Sequence, residues 1–115
     1  MRPSTARELW TRLIALFPGF AEYHSLDDLE ESERDDAATL HSIMMPFTQY
    51  FGRDLSIFTD KQLKTLANLL NDAVSIDDDL ENGVSTCFLE HLRQIRGYKA
   101  LAHYLSAVAK DKTHA

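Results

Sequence analysis

The segment DDDLENGVSTCFLEHLRQI, residues 77–95, sets Leu80, Val84, Cys87, Phe88, His91, Leu92 and Ile95 three and four positions apart, along one stripe of a helix. Its opposite face is polar. Asp77, Asp78 and Asp79 open the segment, where negative charge meets the positive end of the helix macrodipole, and Arg93 and Arg96 close it at the negative end. Ser75 is placed to cap this helix, and Gly97 to stop it. Asn82-Gly83 taken alone is a hairpin signal. Leu80, Val84 and Phe88 nevertheless keep a four-residue step across it, so the segment predicts one continuous helix. The glycine costs that helix about 1 kcal/mol and lets a neighbour approach closely.

The flanking sequence has the same period. Thr5 and Glu8 have capping-box spacing at the head of a stripe formed by Ala6, Leu9, Trp10, Leu13, Ile14, Leu16 and Phe17, and Pro18-Gly19 is expected to end that helix. Phe20 and Tyr23 are expected in the connection, folded over the edge of the core, with Ser25 capping a short turn through Leu29. A second helix runs through Ala37, Leu40, Met44, Phe47 and Phe51, with a kink or break expected at Pro46. Thr59 and Gln62 repeat the capping-box spacing before a third helix over residues 60–74. Beyond Gly97, the spacing of Tyr98, Leu101, Ala102, Leu105, Val108 and Ala109 predicts a last helix, and residues 111–115 a frayed tail. No segment alternates as a strand does. The expected fold is an all-α, single-domain bundle of about five helices over residues 1–115.

At 115 residues the chain can bury one ordinary core, and 44% hydrophobic with 26% charged residues is a globular composition. A formal net charge of −6 disfavours nucleic acid and anionic membrane as partners. No run reaches bilayer-spanning length and residues 1–11 lack an apolar signal core, so a cytoplasmic location is the expectation. The single Cys87 cannot form an intramolecular disulfide, and its position on the apolar stripe predicts a buried thiol.

Candidate chemistry is sparse. Cys87 and His91 share a helical face four residues apart, but they supply half of a zinc shell, and only an approach in space by His41 or His103 would extend it. An EF-hand counted from Asp77 fails, because its glycine and glutamate positions hold Asn82 and Phe88. No spacing of histidine, cysteine and carboxylate matches a catalytic signature, so no catalytic residue, metal or cofactor is expected, and the chain does not read as an enzyme. Arg93, Arg96, Lys99, Lys110 and Lys112 with Tyr98 and Tyr104 form a weak nucleic-acid footprint that fits a helix end and a solvated face equally well.

Acidity is gathered into two blocks. Residues 27–36 sum to −6 and residues 77–90 to −5, leaving +5 on the remainder of the chain. Brought together, such blocks would steer association with a basic protein surface. The candidate partner-binding residues are therefore Asp27, Asp28, Glu30, Glu31, Asp35, Asp36, Asp77, Asp78, Asp79 and Glu81, with residues 27–36 favoured as the contact region. At residues 80–92, LENGVSTCFLEHL, the chain resembles a group of small bacterial proteins, several of which are similar to immunity proteins of toxin–immunity pairs. The resemblance implies a cytosolic protein that binds and neutralises one cognate toxin, delivered by contact-dependent inhibition or type VI secretion. A helical adaptor or regulatory subunit of a bacterial complex is the alternative.

Overall fold

Two helices cross at Leu40 and Gly83, and the other described helices pack around them. The computed structural model describes residues 3–23 and 36–113. Its helices are α1 (Ala6–Leu16), α2 (Pro18–Tyr23), α3 (Asp36–Asp54), α4 (Asp60–Ala73), α5 (Asp79–Val84), α6 (Glu90–Leu92), α7 (Lys99–Ala102) and α8 (Ala107–Lys112). A 3-10 turn, Leu55–Ile57, follows α3, and a π-helical turn, Ser85–Leu89, joins α5 to α6 without a break. No strand occurs among the described residues, and the fold is an all-α single-domain bundle.

The continuous passage across Gly83 is as the four-residue step predicts. A Cβ built on Gly83 would stand 3.0 Å from the Cβ of Leu40, so the missing side chain lets α3 lie directly on α5. Asp78 caps α5 by accepting the Glu81 amide, while the Ser75 hydroxyl, expected to cap, donates instead to the Asp72 carbonyl in the turn that closes α4. Gly97 takes φ of +85°, the left-handed conformation expected of a stop, but regular helix has already ended at Leu92.

Phenylalanine fills the centre. Phe17, Phe20, Phe47, Phe51, Phe58 and Phe88, all six in the chain, form one network of ring contacts with Tyr50, their centroids 4.6 to 6.5 Å apart. Thr59 and Gln62 form the predicted capping box, and the Gln62 amide also donates to the Leu16 carbonyl, tying the start of α4 to the end of α1. Thr5 caps α1 as predicted, although the Glu8 carboxylate takes the amide of Ser4.

Three expectations are corrected and one is narrowed. Pro18 does not end helical structure; it occupies the first position of α2, where a proline loses no intrahelical bond, and Phe20 is thereby driven fully into the core rather than over its edge. At Pro46, where a kink or a break is expected, α3 runs on without a break, because the buried Ile43, Met44 and Phe47 hold the helix on both sides of the missing amide. The last helix is two helices. Ser106 caps α8, and Asn71 of α4 splints the junction by accepting the Ser106 amide and donating to the Tyr104 carbonyl. Residues 111–113 are not frayed, since α8 runs through Lys112, whose ammonium lies 2.7 Å from the Glu81 carboxylate, and Thr113 is buried. Residues 114–115, and the turn expected from Ser25 through Leu29, lie outside the described residues. Among the described residues no helix is long and apolar enough to cross a membrane.

Candidate functional site

Of the acidic positions, Asp77, Asp78 and Asp79 are exposed together at the start of α5. They follow Ile76, a large apolar side chain that is 55% exposed. Asp78 has a structural duty as the cap, with its carboxylate 3.1 Å from the Glu81 amide. Glu81 departs from the expectation of an exposed contact. Only 7% exposed, it accepts from the Ser85 hydroxyl and pairs with Lys112, so it fastens α8 to α5 and is not presented to a partner. Asp36 begins α3; Asp27, Asp28, Glu30, Glu31 and Asp35 lie outside the described residues.

A second feature lies on the opposite charge balance. Between α3 and the π turn a cleft of about 720 Å³ opens, lined by residues that include His41, Met45, Thr48, Cys87, His91 and Arg96. The Cys87 thiol is 2.7 Å from Nδ1 of His41. Burial, reinforced by the nearby charge of Glu90, pushes the thiol's pKa up, so at neutral pH the sulfur keeps its proton. The thiol and Nδ1 can share one hydrogen bond, and which of the two donates follows the imidazole tautomer. A protonated, inward-facing sulfur is a weak nucleophile, and the pair holds the imidazole in place rather than activating the thiol.

The same turn is braced from α3 by Thr48, whose hydroxyl lies 2.6 Å from the Cys87 carbonyl and 2.7 Å from that of Met44. π-helical bonding runs from amide i+5 to carbonyl i, and it disturbs the register that would stack Cys87 and His91 one turn apart. Both line the cleft, yet the group at hydrogen-bonding distance from the thiol comes from α3. Sequence spacing singles out the i, i+4 pair and leaves His41 as one of two histidines that could approach. Thr48 and Ile76 carry no motif. Their only sequence signals are one hydroxyl among several on α3 and an isoleucine before a helix start, and neither is distinctive.

Among the described residues no group of three or more histidine, cysteine or carboxylate side chains is placed to hold a metal ion. Comparison with family models, with curated proteins and with solved structures finds no match to the chain.

Proposed function

We propose that the protein is a stoichiometric binding partner that neutralises a toxin with a basic surface, as an immunity protein does. The observation that carries this reading is the loop before α5, where Ile76, more than half exposed, is followed by the exposed Asp77, Asp78 and Asp79. An apolar side chain standing out beside like charges has the composition of a small interface anchor with a polar rim. The carboxylates steer a cationic surface toward the loop, and the isoleucine is buried once contact forms.

The test uses the product of the adjacent reading frame as binding partner, with association and dissociation followed across ionic strength. Replacing Asp77 and Asp79 by lysine, with the capping Asp78 left intact, is expected to slow association and flatten its dependence on salt. Ile76→Ala is expected to speed dissociation by about tenfold, the effect of losing a modest hot spot. Unchanged rates in both variants, at unchanged helicity, would overturn the reading.

A further inference from the structure

We propose that the cleft between α3 and the π turn is a binding site for a small organic anion carrying an apolar tail, a medium-chain carboxylate being the simplest example. It uses none of the residues of the Ile76 loop and stands whether or not a toxin is bound there. At about 720 Å³ the cleft is large enough to admit such a ligand. The decisive feature is charge. On a chain of net charge −6, the described residues that line the cleft include the Arg96 guanidinium and no carboxylate, although the charge of Glu90 reaches the Cys87 thiol. Among the described residues the Arg96 guanidinium has neither an ion-pair nor a hydrogen-bond partner, and its planar fork matches a carboxylate.

The same cleft offers the alkyl chain an apolar surface. Met45 and Ile95 supply apolar surface, and Met45 is 57% exposed, an open, unbranched side chain able to settle over an alkyl chain. The contact with the thiol holds the His41 ring at the cleft wall, where its imidazole adds a polar edge to the lining. The π turn forms the facing wall through Thr86 and Cys87. Such turns sacrifice regular helical bonding, and they recur where a helix presents side chains to a ligand.

Octanoate is the probe. Isothermal titration of the full chain at neutral pH and low salt is expected to give saturable one-to-one binding, with octylammonium, its charge-reversed counterpart, not saturating. Arg96→Glu and Met45→Glu both alter exposed side chains and are expected to weaken octanoate by about tenfold or more, while Lys64→Glu on the exposed face of α4 leaves it unchanged. Octylammonium binding as tightly as octanoate, or full affinity in Arg96→Glu or Met45→Glu, would each overturn the assignment.

Discussion

Phe88 has no exposed surface, and its ring centroid lies 5.6 Å from that of Phe47 and 5.3 Å from that of Phe51. Truncation to alanine removes the transfer energy of the ring and leaves a hole that α3 and the π turn can only partly close. Phe88→Ala is therefore expected to cost about 3–5 kcal/mol in denaturant unfolding, and a midpoint near that of wild type would count against its central place. Lys112 acts through charge instead. Its hydrogen bond to Glu81, aided by the charges of Glu81, Asp77 and Asp111, raises its pKa above the ordinary lysine value. The ammonium is thus favoured by folding. The stability it contributes is fully present below the unfolded lysine pKa, about 10.4, and is lost as pH rises through the higher folded value. Tyr50, its pKa raised first by burial and then by Asp54, also makes the fold less stable as pH climbs past the ordinary tyrosine value. The Lys112 contribution is isolated by comparison: Lys112→Met should show a shallower loss of stability above about pH 10 than wild type does. Parallel curves would mean that the pair adds nothing to the fold.

At the scale of elements, Gly83→Ala opposes two effects. Alanine favours helix by about 1 kcal/mol over glycine. The new methyl, however, would stand 3.0 Å from Leu40 Cβ, an atom anchored to the backbone of α3 that cannot swing aside. Overpacking of this kind costs about 1–3 kcal/mol, so the expected outcome is net destabilisation, and a raised melting temperature would show that α3 yields easily. The position was legible because the apolar step continued through it. Stripes likewise revealed α1, α3, α4 and the α5 segment, since periodicity over three turns or more records which face is buried. Short elements were not legible. Pro18-Gly19 reads as a stop unless one knows that Phe20 has a core to enter, and nothing local distinguishes an unbroken helix after Gly97 from two held apart by Asn71. The π turn is hidden for the same reason. Its residues keep the helical stripe, and the widening follows from neighbours such as Thr48 that lie elsewhere in the chain.

For the whole molecule, charge was legible as composition but only partly as surface. Asp77 and Asp79 face solvent as their positions at a helix start suggest, whereas Glu81, two residues on, turns inward to Lys112, a partner no local pattern names. The cleft was less legible still, because its lining is assembled from α3, the π turn and the residues after α6. That assembly also bears on how fast the chain can reach its native state. The bonds that join α3 to the π turn span 46 residues at His41–Cys87 and 39 at Thr48–Cys87. Closing so long a loop is entropically costly before any contact forms, and the cost grows by only about 0.6 kcal/mol for each doubling of length. Helices here can form locally within microseconds, but the interface that organises them cannot. The chain has the secondary structure of a fast folder and a central contact that belongs to a slower one, so its rate is governed by the meeting of α3 with α5 rather than by helix formation.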